Sequence, residues 1–221
     1  MKITRINEPF PAISIDNFIP AASLVRAAAT SFETVGDHEW VKYGGAGAGQ
    51  VQYCSKNRQH ITPSALLVLD YIASFFDPNK IFENLTDNVF PDTSHYGGGM
   101  MLTLNSRGDG GYLGMHVDAD IHGVNLNWKR EYSAVLCISE EYDSSFDLLL
   151  HDGKNKHTRI PYKFNRLNVF KCSENSWHGL PEITKGLDRK TLGVMYWSLM
   201  TEEDKKTARV KAKFRYDLEF K

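Results

Sequence analysis

The pattern of apolar and polar positions changes once along the chain, near residue 88. Before that point it reads mainly as helix. Ile13 and Ile15 alternate with polar neighbours and predict a short opening strand. Pro20 then opens a helix in which AASLVRAAATSF carries apolar residues at helical spacing. A second helix has a full set of start signals: Thr62 as cap, Pro63 in the first turn and SALLVLDYIASFF as the apolar face. Asp77-Pro78 breaks it and starts a third short helix through Ile81, Phe82 and Leu85. Between the first two helices lies a glycine-rich stretch with Gly44, Gly45, Gly47 and Gly49. It lacks the order of a phosphate-binding loop and does not join a strand to a helix, so it reads as a mobile loop.

From Gly99 onward the apolar runs shorten and turn signals separate them. Candidate strands are 100–104, 111–118, 132–138, 146–151, 157–162, 166–171, 178–183 and 189–199. Turns fall at Gly108–Gly111, Asp152-Gly153 and Lys185–Asp188. Short strands at this spacing predict a mainly β fold, a sandwich or jelly roll with helices flanking one face. The expected organisation is a single domain over 1–221, with helical support in 1–88, a jelly-roll core in 95–200 and a charged segment in 201–221. That last segment mixes both signs and reads as a solvated face or tail.

Charge and cysteines narrow the function classes. Lys and Arg total 26 against 27 Asp and Glu, for a net charge of −1, and no basic stripe stands out. Nucleic acid is therefore not an expected partner. The three cysteines, Cys54, Cys137 and Cys172, are widely spaced and form no CxxC pair. This argues against both a disulfide framework and a thiolate zinc site. No apolar signal core or membrane-length window is present, and the expected setting is a reducing cytoplasm.

The candidate chemistry begins at His116-Val117-Asp118. In a strand, residues two apart share a face, so this imidazole and carboxylate can aim at one point. His178 lies several strands downstream, in NSWHGLPE. Two histidines and a carboxylate form the facial triad of non-haem iron sites, which leaves coordination positions free for co-substrate and oxygen. Arg189 and Thr191 follow His178 in an H-x10-R-x-T spacing. A guanidinium and a hydroxyl on one strand face can grip the far carboxylate of a dicarboxylic keto acid.

With these residues in place, the chain resembles the prolyl-4-hydroxylase-like branch of the 2-oxoglutarate/iron(II) dioxygenases, in its small bacterial and phage form. The resemblance rests on PFPAISIDNFIPAASL, on YGGGMML followed by GGYLGMHVDAD, on IPYKFNRLNVFKCSENSWHGLPE and on RKTLGVMYWSL, which together span most of 9–200. It implies a double-stranded β-helix of the jelly-roll type. It further implies His116, Asp118 and His178 as ligands of iron(II), with Arg189 and Thr191 binding 2-oxoglutarate. The implied reaction consumes O2 and 2-oxoglutarate, releases succinate and CO2, and hydroxylates an unactivated C–H bond; ascorbate is a candidate addition. Where relatives place tyrosines near the co-substrate, this chain has Leu104 or Asn105, and Leu136 or Cys137.

Arg130 and Tyr112 are the candidate substrate contacts, Arg130 because relatives carry a basic residue near the substrate opening. Asp120 and His122, just after the HxD pair, read either as groups supporting the metal ligands or as part of the site's lip. His38, His60, His95, His151 and His157 carry no such context and read as ordinary surface or core histidines. Cys137 and Cys172 read as small buried apolar residues. The segments 44–49 and 119–131 are the candidate lids. The expected partner is a small molecule or a peptide. Two competing readings are a cupin-like metalloprotein without 2-oxoglutarate, in which Arg189 and Thr191 would have no task, and a jelly roll that binds a ligand without catalysis.

Overall fold

The structure is a computed structural model that describes residues 1–36, 39–44, 50–55, 61–77, 80, 82, 89–93, 100–104, 110–215 and 217–218. The expectations for a third helix around 81–85, for the loop at 45–49, for Asn105 and for His38, His60 and His95 lie outside the described residues.

Strict alternation gives the central strands two distinct faces. In β8 (Trp128–Cys137), Tyr132, Ala134 and Leu136 turn to one side, and in β13 (Lys190–Leu199), Leu192, Val194 and Tyr196 do the same. They pack against Val25 and Ala28 of α1 (Ala22–Ala29) and Ala65, Val68, Leu69 and Ile72 of α3 (Pro63–Phe75). This apolar layer is the main core, and burying it is what holds the helices to the sheet. Thr62 caps α3 by accepting from the Ala65 amide at 3.3 Å, with Pro63 at its start. Its far end is pinned to the sheet by Tyr196, whose hydroxyl donates to the carbonyls of Ile72 and Phe76 at 2.9 and 3.2 Å. The first predicted helix divides in two. The Thr30 hydroxyl bonds back to the Ala27 carbonyl at 2.7 Å, and α2 (Ser31–Thr34) follows as a separate short turn.

All eight predicted strands occur, with ends shifted by up to a few residues. The largest shift is in β8, which begins in the polar WKRE stretch that carries no apolar signal. The strands form one antiparallel ribbon. One half runs β1 (Lys2–Ile6), β2 (Ala12–Asp16), β11 (Arg166–Lys171), β8, β13 and β6 (Met100–Leu104). The other half runs β7 (Tyr112–Val117), β12 (Trp177–Leu180), β9 (Leu148–His151) and β10 (His157–Ile160). The halves are joined by β4 (Gln50–Ser55), which pairs through Tyr53–Ser55 with β6 and through Gln50–Val51 with β7. At the edges, β3 (Val41–Gly44) pairs with β4 and β5 (Phe90–Pro91) with β13. The two halves face each other across Phe10, Ala12, Phe170 and Cys172 on one side and Leu148, Leu150, Ile160 and Leu180 on the other. This is the jelly roll, a double-stranded β-helix with helices on its outer face.

Two elements differ from the sequence reading. The stretch 1–88 contributes β1 to β4 as well as helices, and β2 is hydrogen-bonded along its whole length to β11. β1 escapes the pattern because as an edge strand it is almost wholly exposed and needs no apolar alternation. The C-terminal segment is more than a solvated tail. It forms α4 (Glu202–Thr207) and β14 (Lys213–Phe214), and β14 pairs with β7. A two-residue strand held by backbone bonds leaves no periodic trace in sequence. Among the described residues, no helix is long and apolar enough to cross a membrane.

Candidate metal centre

β7 and β12 are neighbours in the smaller half, and their register sets His116 directly opposite His178. The two rings lie 4.2 Å apart, centroid to centroid. Asp118 sits just past the end of β7, on the same face as His116 because it is two residues on. One donor atom from each of His116, Asp118 and His178 falls within 4.8 Å of the other two, room for a single ion between them. His116 Nε2 is 3.6 Å from Asp118 Oδ1, and His178 Nε2 is 3.8 Å from Asp118 Oδ2.

The ring orientations are fixed from behind. Nδ1 of His116 lies 3.0 Å from the Gly114 carbonyl, and Nδ1 of His178 lies 3.0 Å from the Ser176 carbonyl. A carbonyl only accepts, so each Nδ1 carries the proton and each Nε2 presents its lone pair towards Asp118. Burial, reinforced by the neighbouring His116, pushes His178 down to about 4, so it is neutral and ready to ligate at ordinary pH. Burial alone would push the Asp118 carboxyl up. Arg130 and the two imidazoles outweigh it and hold Asp118 well below the usual carboxylate range.

Arg130 is the strongest of these influences. Its NH1 lies 2.8 Å from Asp118 Oδ2, and its guanidinium packs over the Trp197 ring at 5.2 Å. Arg130 Nε and Trp197 Nε1 are both buried without a hydrogen-bond partner among the described residues. The Ser133 hydroxyl donates to Asp118 Oδ2 at 3.3 Å, and the Cys172 thiol reaches the same oxygen at 4.0 Å. Burial pushes the Cys172 thiol up to about 12, so it stays protonated and acts as a donor. The donor set is thus two imidazoles and one carboxylate without thiolate, which fits a divalent iron ion.

Arg189 and Thr191 occupy the opposite sheet. Arg189 precedes β13 and is 4% exposed, and Thr191 is 2% exposed. The Arg189 Nε donates to the Phe146 carbonyl at 2.9 Å, and its guanidinium lies over the Tyr162 ring at 5.4 Å. Burial lowers the Arg189 pKa, with Cys137, Tyr162 and Asp147 acting against that. A buried guanidinium in such surroundings is a ready receptor for a carboxylate. Of the positions where relatives place tyrosines, Leu136 belongs to the outer core and Cys137 to the cluster of Phe146, Tyr162 and Ile183 at this end. Tyr162 supplies an aromatic ring there from a different strand connection, which the spacing of the motif does not reveal.

Other expected residues fall elsewhere. Tyr112 is half-buried on β7, but a β-bulge between Leu113 and His116 breaks the alternation, and it is Leu113 that packs inward with Leu180. His122 makes no contact with the triad. Its Nδ1 accepts from the amides of Val124 and Asn125 at 3.1 and 2.8 Å, so Nε2 carries the proton and donates to Asp92 at 2.8 Å. It also packs edge-on against Trp197 at 4.7 Å, which makes it the anchor of the 119–127 turn. Asp120 is held by Arg209, with NH2 to Oδ1 at 2.5 Å. His151 is buried on the outer side of β9, stacked 6.0 Å from His157.

A jelly roll that brings two histidines and one carboxylate together on its inner face has the ligand set of the non-haem iron oxygenases. Residues 100–197, which hold all three of these side chains, match the family model described as the 2OG-Fe(II) oxygenase superfamily. Members of that superfamily are dioxygenases working with iron(II), 2-oxoglutarate and O2, and the match runs from β6 to β13, just under half of the chain. No sequence among curated proteins matches the chain. Similar solved structures include a Pseudomonas putida prolyl-4-hydroxylase at 18% identity and TM-score 0.57, covering 86% of this chain and 92% of that one. A viral collagen prolyl hydroxylase from Paramecium Bursaria Chlorella virus-1, solved with 2-oxoglutarate, has 10% identity and TM-score 0.56 over 85% of this chain and 96% of that one. HygX from Streptomyces hygroscopicus, solved with nickel and 2-oxoglutarate, has 7% identity and TM-score 0.54 over 86% and 83%. At these identities the likeness is one of fold.

Proposed function

We propose that the protein is an iron(II)- and 2-oxoglutarate-dependent hydroxylase acting on an unactivated C–H bond of a protein side chain (prolyl-like), an amino acid or a small metabolite. Succinate and CO2 are the co-products. The observation that carries the reading is the convergence of His116, Asp118 and His178 within 4.8 Å, with both Nε2 atoms free to ligate. Iron(II) held there supplies the activation of O2 that no side chain can provide. The chain supplies geometry and charge. His116 and His178 present their Nε2 atoms, and Asp118 supplies the negative charge. Arg130 and Ser133 hold Asp118 Oδ2 and leave Oδ1 facing His116. Arg189, with Thr191, anchors the distal carboxylate of 2-oxoglutarate. Leu148, Leu150, Phe170 and Leu180 keep water from the inner face.

Two features support a substrate entering past the end of β7: Arg130 beside Asp118 and the exposed Val124 and Leu126 on the adjoining turn. Prolyl hydroxylases and the antibiotic-related HygX share the fold, so a peptide and a small molecule are both admitted. The free thiols Cys137 and Cys172 accord with a reducing, cytoplasmic setting.

The test is an anaerobic titration of metal-free protein with iron(II) and then 2-oxoglutarate, monitored for a visible charge-transfer band. The band is expected to need both additions and to vanish in His178→Ala. Arg189→Ala should keep the metal and weaken 2-oxoglutarate roughly ten- to a hundredfold, the worth of a lost charge-assisted hydrogen bond. A folded, metal-loaded protein without the band would rule the reading out in favour of a cupin-like site or a binding module.

A further inference from the structure

β7 ends at Val117, so Asp118 lies beyond the strand. A carboxylate on such a turn needs support from outside the sheet ladder if it is to stand ready before a metal arrives. The segment 201–215 makes contacts suited to that task. It is fixed first at α4, where Thr201 and Asp204 form a capping box and Lys129 Nζ meets Asp204 Oδ1 at 2.8 Å. Arg209 then meets the 118–121 turn with both backbone and side chain. Its carbonyl accepts from the amides of Asp120 and Ile121 at 2.8 and 3.3 Å. Its amide donates to Asp120 Oδ2 at 2.8 Å, and its Nε donates to the Asp118 carbonyl at 3.3 Å. Its NH2 pairs with Asp120 Oδ1 at 2.5 Å.

Beyond Arg209 the segment turns along β7. β14 sets Lys213 opposite Val117 and Phe214 opposite His116, and the Arg215 amide donates to the Met115 carbonyl at 2.9 Å. The Phe214 ring stacks on the His116 ring at 5.2 Å and 20°. β4 reaches only Tyr112 and Leu113 of β7, so β14 is what occupies this edge at the histidine.

We propose that this C-terminal strap is a positioning element of the metal site, in which Arg209 fixes the turn that carries Asp118 and Phe214 fixes the ring of His116. The proposal rests on the ligand set proposed above. Two of the three ligands are steadied by the strap, while His178 is steadied by the Ser176 carbonyl and by the Phe170 ring, 4.5 Å away. Arg209 and Asp120 keep 21% and 13% of their side-chain surface exposed, so the forked geometry and the backbone bonds matter more than bare charge attraction. A ligand set ordered in advance binds its ion without a further ordering cost.

The experiment uses the full chain and Mn(II), a redox-silent probe, with free ion followed by electron paramagnetic resonance. Arg209→Ala and Phe214→Leu are each expected to raise the Mn(II) Kd about tenfold or more, as loss of a supporting partner does at other metal sites. The thermal midpoint of the metal-free protein should hardly move. Lys211→Ala, an exposed change within the same strap, should leave the Kd as it is. If Arg209→Ala binds Mn(II) like the wild type while His178→Ala loses it, the strap proposal fails and the ligand set stands. If the wild type takes up no Mn(II), both fail. Should Arg209→Ala not fold, Phe214→Leu decides by the same criterion.

Discussion

At the scale of single residues, the site is a balance of opposing effects on one carboxylate. Burial favours the neutral acid at Asp118, and Arg130, 2.8 Å away, is the largest of the charges that reverse this. Removing that guanidinium in Arg130→Gln raises the Asp118 pKa towards its ordinary value. Protons then compete with the metal at higher pH. The pH at which Mn(II) is half-released on acidification is expected to move upward in Arg130→Gln relative to wild type. An unchanged midpoint would mean that Arg130 does not control the carboxylate. The HxD pair, His178 and Arg189 could be picked out as candidates from sequence because their conjunction, far more than any one of them, fits a single chemistry. Ser133, Cys172 and Phe214 could not, since nothing local marks a serine, a cysteine or a phenylalanine as the neighbour of a ligand far along the chain.

At the scale of elements, the metal centre depends on how closely β12 approaches β7. Gly179, next to His178, permits that approach. A Cβ there would stand 2.6 Å from the Leu113 carbonyl oxygen and 3.0 Å from Met115 Sδ. The first of these is backbone and cannot rotate aside, so Gly179→Ala must push β12 outward and carry His178 with it. The expected result is a loss of stability of about 1–3 kcal/mol, typical of overpacking, together with a raised Mn(II) Kd. Equilibrium denaturation and metal titration on the same variant check both. A variant with wild-type values on both would show that the strands have slack at this point. The eight core strands were legible because they are short apolar runs set apart by turn signals. The start of β8 and all of β1 and β14 were not, because edges and polar ends are held by backbone hydrogen bonds, which every sequence offers equally.

At the scale of the whole molecule, the N-terminal hairpin is fastened to the larger half of the roll through Asp16. Arg166 Nε and Lys163 Nζ lie 2.6 and 2.9 Å from its carboxylate. The hydrogen bond from Arg166, against a modest burial effect, holds Asp16 down at about 2. A depressed carboxyl contributes stability above its unfolded pKa of roughly 3.9 and loses it as pH falls through the folded value. Asp16→Asn is therefore expected to cost about 1–2 kcal/mol at pH 7, allowing for partial solvent screening, with the difference from wild type closing as pH falls towards about 2. Urea unfolding at both ends of that window checks it. A difference that persists at the acid end would point to packing rather than charge.

The sequence by itself determined the class of fold and which residues are the candidates for the site. Periodicity is a property of neighbours in the chain, and the alternation of β8 and β13 is visible without knowing what they pack against. The same holds for His116 and Asp118, which share a face through local geometry alone. Only the tertiary structure decided which groups surround them. The pairing of Arg130 with Asp118, the seating of Phe214 on His116 and the grip of Arg209 on Asp120 all join residues from separate elements. So does the fastening of β2 to β11. Such contacts depend on how sheets close and where a chain end returns, and the free energy that selects them is shared across the whole packed molecule.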